Sequence, residues 1–254
     1  MAFCRNTAQL GVMAKSCRKA KPGKLFPTTH ATALLTLVTD GGAGAEQAKA
    51  AGIALMQRYA DPLTVFVRGS SLARLGEPAE IVNGYFATRL SDEAAIVEFL
   101  TKWSASGMRL RRWLMNGILF YGQGLARDRA RAQYRGGSVA PEELDRRAGA
   151  SSTGESDFER AWALAVVREA TARAEIELLD EGRSVDFDIF RRHAIDGQPY
   201  AAFAHELGRS EQQCAGATRL VAQRVRAKLA ELLTEEGVPE RELDDEIARV
   251  RGLL

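Results

Sequence analysis

The sequence predicts an all-α protein in which two small helical domains are joined by a flexible linker. Apolar residues recur at helical spacing along most of the chain, and several of these segments begin at a capping residue or a proline. No segment alternates apolar and polar residues between turn signals, as a half-buried strand would. Residues 136–156 are rich in glycine, serine, proline and charge without an apolar period, which predicts the linker.

The first predicted domain covers residues 31–135 and follows a flexible basic leader, residues 1–30. Its helices are marked by residues that suit a first turn. Proline suits this turn because its missing N–H would be unpaired there in any case, and serine or aspartate accepts hydrogen bonds from the free N–H groups. The predicted helices are 46–58, a second that starts at Asp61 and Pro62, a third over 78–90 that starts at Pro78, a fourth over 92–103 that is capped by Ser91, and a fifth over 108–132.

The second predicted domain covers residues 157–254, and its most informative stretch is 200–233. Gly208 can take the left-handed conformation that ends a helix, and Ser210 with Gln213 matches a capping box that starts the next one. Two helices around a tight turn are typical of a helix-turn-helix that binds the DNA major groove. A helical hairpin that only packs has the same pattern, so the pattern alone leaves both interpretations open.

Charge is unevenly distributed, although the total is nearly balanced, with 35 Lys and Arg against 33 Asp and Glu. Seven arginines and one acid lie between Arg109 and Arg135, whereas seven acids and three arginines follow residue 233. The basic stretch suits a polyanionic partner. The acidic C-terminal segment could instead mask a basic surface of the same chain, which is a separate hypothesis.

The chemistry-bearing residues do not form a recognisable catalytic or metal site. Cys4, Cys17 and Cys214 are too scattered for a disulfide framework or a CxxC metal pair, and the three histidines are equally dispersed. No nucleophile lies in a pattern that supplies it with a base, so an enzyme is not expected. The apolar run 31–38 is too short to span a bilayer, and no signal peptide is evident. We therefore expect a cytoplasmic protein with no cofactor, metal or membrane partner.

Short motifs follow one another in the order found in one protein family. In chain order they are Phe26-Pro27-Thr28-Thr29, Tyr59-Ala60-Asp61-Pro62-Leu63, Glu80-Ile81-Val82-Asn83-Gly84-Tyr85-Phe86, Arg109-Leu110-Arg111-Arg112-Trp113-Leu114 with Arg127-Asp128-Arg129-Ala130-Arg131, Phe158-Glu159-Arg160-Ala161-Trp162-Ala163, and Asp244-Asp245-Glu246-Ile247. Each motif is loose, but together they span residues 26–254. The chain thus resembles the sigma-70 family of RNA polymerase initiation factors, in the extracytoplasmic-function (ECF) type that keeps only regions 2 and 4.

The resemblance implies that the chain binds core RNA polymerase and directs transcription initiation. Residues 31–135 would form region 2, which in the family docks on the clamp helices of the largest polymerase subunit. Glu80 and Asn83 match that surface, and their spacing places them on one helix face. The family usually has an acidic pair and a glutamine here, where this chain has Glu80 alone and Asn83.

The resemblance also implies contacts with promoter DNA at two places. Region 2 would meet the −10 element through arginines that neutralise phosphates, and region 4, residues 157–254, would place its second helix in the −35 major groove. Trp113 could stack on an unpaired base, although its position in the apolar stripe favours the core. The implied DNA-binding residues are Arg109, Arg111, Arg112, Arg127, Arg129 and Arg131 in region 2, and Ser210, Gln212, Gln213 and Arg219 in region 4.

A second function stays open because some motifs depart from the family pattern. Ala215, Gly216 and Ala217 stand where lysine or arginine is common in the recognition helix. A diverged sigma-like regulatory protein that binds polymerase or another partner without initiating would tolerate such changes. An anti-sigma or other regulatory protein is a further partner to expect, at the basic leader or the acidic tail.

Overall fold

The computed structural model describes residues 45–135 and 152–254, and all regular secondary structure within these ranges is helical. The all-α class is therefore confirmed for the described residues. The leader 1–30 and residues 136–151 of the predicted linker lie outside them. In chain order the α-helices are α1 (Ala45–Arg68), α2 (Pro78–Arg89), α3 (Glu93–Ser106), α4 (Leu110–Arg135), α5 (Ser152–Asp180), α6 (Ser184–Phe190), α7 (Glu211–Glu235) and α8 (Leu243–Leu253).

Helix α1 is one helix where the sequence predicted two. It continues through Pro62, although a proline inside a helix removes one backbone hydrogen bond and crowds the preceding turn. Leu55, Tyr59, Leu63 and Phe66 are buried on both sides of the proline. Because these side chains continue one apolar face, tertiary packing keeps the segment helical across Pro62.

The starts of α2 and α3 lie close to the predicted positions. Pro78 is the first residue of α2, as predicted. Helix α3 is capped by Asp92 instead of Ser91: Oδ1 of Asp92 accepts a hydrogen bond from the backbone N of Ala95 at 2.9 Å. The Ser91 hydroxyl donates to Oδ2 of the same carboxylate at 3.1 Å. The predicted cap position is therefore wrong by one residue, and both residues are of the types that cap helices well.

Helix α4 continues as one helix through Gly117, Gly122 and Gly124, although glycine lowers helix propensity. Two of them allow close contacts instead. A Cβ atom on Gly117 would collide with the Tyr85 side chain of α2, and one on Gly122 would collide with Leu72. Conversely, a Cβ on Gly84 of α2 would lie 2.5 Å from the Tyr121 hydroxyl of α4. Gly84 and Gly117 therefore allow α2 and α4 to approach closely, and Gly122 allows the 3₁₀ turn with Leu72 to approach α4.

The stretch 200–233 contains one regular α-helix where two were predicted. Residues 200–208 form a short 3₁₀ turn, Tyr200–Ala202, followed by hydrogen-bonded turns. Gly208 has the expected positive φ of 64°, and α7 begins after Ser210 with the predicted capping box.

The main core contains side chains from both predicted domains. Helices α1 and α5 pack side by side, and the rings of Phe66 and Phe158 meet edge to face with centroids 6.0 Å apart. The end of α7 joins the same core through Leu229, Leu232 and Leu233. Helix α5 also begins within the predicted linker, at Ser152. The division into two tethered domains therefore stays a prediction.

Candidate functional site

Helix α2 presents the two residues that match the polymerase-binding surface. Glu80 and Asn83 are both exposed, whereas Ile81, Val82 and Tyr85 on the opposite face are buried. The core side chains fix the rotation of the helix, so the two polar residues face solvent on one side. This face can accept hydrogen bonds and basic groups from a partner.

The arginines at the C-terminal end of α4 are also exposed and accessible to a partner. Arg127, Arg129 and Arg131 are exposed, and Arg131 lies 3.5 Å from the exposed carboxylate of Asp128. An exposed ion pair of this kind contributes little and is readily exchanged. The three arginines can therefore bind phosphates without any rearrangement of the described residues.

The arginines at the N-terminal end of α4 are engaged by carboxylates of the same chain. The Arg111 side chain is 5% exposed, and its Nη2 donates to Oε1 of Glu246 at 2.8 Å. Its Nε lies 3.3 Å from Oε1 of Glu159, and its guanidinium lies 4.3 Å from the ring centroid of Trp162. Arg112, which is exposed, pairs with Glu155 at 3.1 Å. Contact between Arg111 and DNA thus requires these groups to separate.

Arg109 is held by two acids from the C-terminal segment. Its Nη1 donates to Glu246 Oε2 at 2.8 Å, and its Nη2 donates to Glu242 Oε2 at 3.0 Å. Burial alone would raise the pKa of Glu246, but the charges of Arg111, Arg249 and Arg109 hold that pKa below its ordinary value. Glu246 is therefore ionised at neutral pH and binds both Arg109 and Arg111.

A second buried ion cluster joins α1, α5 and the end of α7. Arg58 donates to both carboxylate oxygens of Glu169, at 2.7 and 2.8 Å, and to Oε2 of Glu235 at 3.1 Å. Arg173 donates to Glu235 at 2.8 Å. Burial alone would lower the pKa of Arg58, but hydrogen bonding and the surrounding carboxylates raise it. The cluster is a network of ion pairs that links segments distant in sequence.

Glu236 lies between the two clusters and is fully buried. Both of its carboxylate oxygens accept from Trp162 Nε1 at 3.1 Å, and its backbone O accepts from Leu110 N at 3.1 Å. Burial raises the pKa of Glu236, and the charges of Arg58 and Arg111 offset this only in part. Glu236 thus ties the end of α7 to α5 and to the start of α4.

Arg109, Arg111 and Arg112 were predicted to contact DNA, and masking of a basic surface by the acidic C-terminal segment was a separate hypothesis. Which carboxylates pair with which arginines was not predicted. One signal was present for Arg58: it lies next to Tyr59 in the apolar register of α1, where an arginine requires a buried counter-charge. The identity of that counter-charge is not contained in the local pattern, because Glu235 lies 177 residues away.

The N-cap residue and the first half of α7 carry the remaining predicted DNA contacts. Ser210 Oγ accepts from Gln213 N at 3.2 Å, and Gln213 Oε1 accepts from Ser210 N at 2.8 Å. Gln213 is therefore occupied by the capping box. Gln212 and Arg219 are exposed, while Cys214, Ala217 and Val221 face the interior. Gln212 and Arg219 are the two predicted contacts of α7 whose side chains have no role in the cap.

A groove of about 370 Å³ lies where α2, α3 and α4 meet. Trp113 is half-buried on its wall, where it packs edge to face on Phe99 with ring centroids 6.3 Å apart, so it belongs in part to the core as the apolar stripe indicated. The groove combines aromatic rings with charges of both signs, since Lys102 pairs with Glu98; its lining includes Tyr85, Arg89, Glu98, Phe99, Lys102, Trp113 and Phe120.

The chain matches no family model, no curated protein and no solved structure. In residues 45–135 and 152–254, no helix is long and apolar enough to cross a membrane. The same ranges contain no group of three or more histidine, cysteine, aspartate or glutamate side chains that could hold a metal ion. A functional assignment therefore rests on the residues of this chain.

Proposed function

We propose that this chain is an RNA polymerase sigma factor that binds the core enzyme and promoter DNA. The observation that carries the proposal is the exposure of Glu80 and Asn83 on one face of α2, where the family motif requires a docking surface. The packing of Tyr85 and Phe86 beneath that face holds it in place. A polar surface on a rigid helix suits a protein partner with a basic complement.

Five of the proposed DNA contacts are exposed side chains that need no rearrangement to reach DNA. Arg127, Arg129 and Arg131 supply phosphate contacts near the −10 element, and such contacts make binding depend on salt. Gln212 at the start of α7, and Arg219 about two turns further along it, supply contacts near the −35 element; glutamine can pair with an adenine edge and arginine with guanine or phosphate. Two weak contacts on one molecule reinforce each other when both can be made at once.

The proposal is tested by run-off transcription with core polymerase from the source organism on genomic promoter fragments. A double variant, Glu80→Ala with Asn83→Ala, should lose co-purification with core polymerase and lose transcripts. Glu46→Ala with Gln47→Ala is the matched control, since both residues are exposed on α1 and outside the family motif. Transcripts that start at defined sites with the unmodified chain support the proposal, and equal transcription by the two double variants would contradict it.

A diverged sigma-like regulator is the second candidate function, and a specific observation favours it. Arg109, Arg111 and Arg112, which match the family's DNA-binding end of region 2, are paired with acids of the same chain. A protein that keeps this arrangement can occupy polymerase without opening promoter DNA. Retention of core polymerase in a pull-down, together with no transcript from any promoter fragment, would select this function over the first.

A further inference from the structure

Acidic residues of helix α8 and of the residues just before it pair with two arginines that the proposed function assigns to DNA. Its Glu246 bonds both Arg109 and Arg111, and Glu242, just before the helix, bonds Arg109 again. Carboxylate and phosphate oxygens bind guanidinium groups in the same planar manner. The two acids therefore take up the donors that a phosphate would use.

The burial of Arg111 makes this competition exclusive. With 5% of its side chain exposed and the Glu246 side chain 4% exposed, no phosphate of a duplex can reach the Arg111–Glu246 pair from solvent. An exposed ion pair can exchange one partner for another in place, but a buried pair can exchange only if one element leaves. The element that can leave is α8, because Arg111 lies on the long core helix α4.

Helix α8 is short and buries few side chains completely. Of its 11 residues Glu246 and Val250 are buried, and Leu243, Ile247 and Leu253 pack on the core while partly exposed; the 25-residue α7 buries seven residues. The link between the two helices contains Gly237, with φ of 83°, and Pro239. Segments with few buried apolar contacts open at lower free energy than the rest of a fold. Glu236, by contrast, is anchored to Trp162 and Leu110, so opening would stop at the link.

We propose that α8 is an intramolecular competitor of nucleic acid. In the closed state α8 is in place and Arg109 and Arg111 are paired with carboxylates; in the open state α8 is displaced and phosphates bind these arginines. The inference rests on the proposed function for the choice of DNA as the polyanion. Because only open molecules bind DNA through these arginines, the apparent DNA affinity is the affinity of the open state multiplied by the fraction of molecules that are open. Weakening the α8 contact raises that fraction and tightens DNA binding.

The first test uses the full chain and a fluorescent DNA duplex of mixed sequence, with affinity measured by anisotropy. Glu242→Gln with Glu246→Gln removes both acids, and Glu240→Gln with Asp245→Asn removes the same charge from exposed neighbours. If about one molecule in ten is open, the first variant lowers the apparent Kd up to about tenfold relative to the second. Equal affinities for the two variants would overturn the proposal, because a charge effect alone predicts them.

A milder variant protects the test against misfolding. Glu242→Gln breaks only the half-exposed contact with Arg109 and leaves Glu246 in place. It should give a smaller increase in affinity with an unchanged circular dichroism spectrum. An increase that appears only in variants with altered spectra would count against displacement of α8 in the folded chain.

The second test measures α8 directly, by hydrogen exchange of residues 243–253 with and without the duplex. Displacement predicts faster exchange in this segment when DNA is bound, while α4 stays protected. Unchanged or slower exchange in α8 at saturating DNA would overturn the proposal. Run-off transcription separates the two ideas: faster exchange in α8 without any transcript would retain the competitor and reject the initiation factor.

Discussion

At the scale of single residues, Arg58 and Gly117 show how side-chain volume and charge constrain this core. Arg58 is surrounded by Glu169, Glu235 and Glu236, with nearest N–O distances of 2.7, 3.1 and 3.7 Å. Gly117 faces Tyr85 at a separation that leaves no room for a methyl group. Each position tolerates few alternatives.

Replacing Arg58 with alanine should strongly destabilise the protein. The change leaves buried carboxylates without their main counter-charge, which typically costs about 3–5 kcal/mol. Equilibrium unfolding in urea, followed by circular dichroism, measures the loss. Lys102→Ala is the control, because the Lys102–Glu98 pair is exposed on both sides and its removal should leave the free energy of unfolding nearly unchanged. Similar losses for the two variants would show that the Arg58 cluster is not formed.

Replacing Gly117 with alanine should also destabilise the protein, through overpacking. The new Cβ forces the Tyr85 side chain or helix α2 to move, at a cost of about 1–3 kcal/mol. Gly124→Ala lies on the same helix with nothing within 4 Å of its Cβ position, so higher helix propensity should leave stability unchanged or improved. A stable Gly117→Ala variant would mean that α2 and α4 lie further apart than described.

At the scale of elements, the start of α7 carries two neighbouring glutamines, of which only one takes part in the helix cap. Gln213 completes the capping box, whereas Gln212 beside it is exposed and has no part in the cap. The two residues have the same chemistry and adjacent positions, so they form a natural pair for comparison.

Ser210→Ala should destabilise the first turn of α7 by about 0.5–2 kcal/mol, because a backbone N–H loses its side-chain acceptor. Gln213→Ala should have a similar but smaller effect. Hydrogen exchange of the backbone amides at the start of α7 measures both. Gln212→Ala should leave the exchange rates unchanged and, under the proposed function, weaken binding to −35 DNA. A Gln212 variant that frays α7 would contradict this separation.

At the scale of the whole molecule, ionised carboxylates join segments that the sequence predicted to be separate domains. Glu169 links α5 to Arg58 of α1, and Glu246 links α8 to Arg109 and Arg111 of α4. Such contacts make the relative placement of the segments depend on protonation.

Stability should therefore fall at acidic pH. Burial alone would raise the pKa of Glu169 and of Glu246, but the neighbouring arginines hold both below the ordinary value of 4.5. Groups with a lowered pKa contribute stability above the unfolded-state value and lose it as the pH falls through the folded-state value. Glu236, whose pKa is raised by burial, acts in the opposite direction and partly offsets the loss.

Thermal unfolding between pH 7 and pH 3 measures this dependence. Glu246→Gln should flatten the decrease in Tm below about pH 4.5, because one of the groups with a lowered pKa has been removed. Glu240→Gln, at an exposed position, is the control and should follow the unmodified chain. An identical slope for all three proteins would show that Glu246 is not ion-paired in the folded state.

The helical class and several local features of the described residues follow from local sequence alone. Pro78 at the start of α2, Gly208 with its positive φ, and the Ser210–Gln213 capping box depend on interactions within a few residues. The exposure of Glu80 and Asn83 follows equally from helical spacing. Local sequence is sufficient for such features because their partners are neighbours in the chain.

Which charges meet depends on tertiary packing. Arg111 and Glu246 are separated by 135 positions. Position 117 must be glycine because Tyr85 of another helix packs against it, and the sequence of α4 alone does not show this contact. The same holds for Pro62, which tertiary packing keeps inside a helix. Burial, pairing and close approach depend on how the elements pack, and that packing placed the predicted DNA-binding arginines Arg109 and Arg111 against the acidic C-terminal helix.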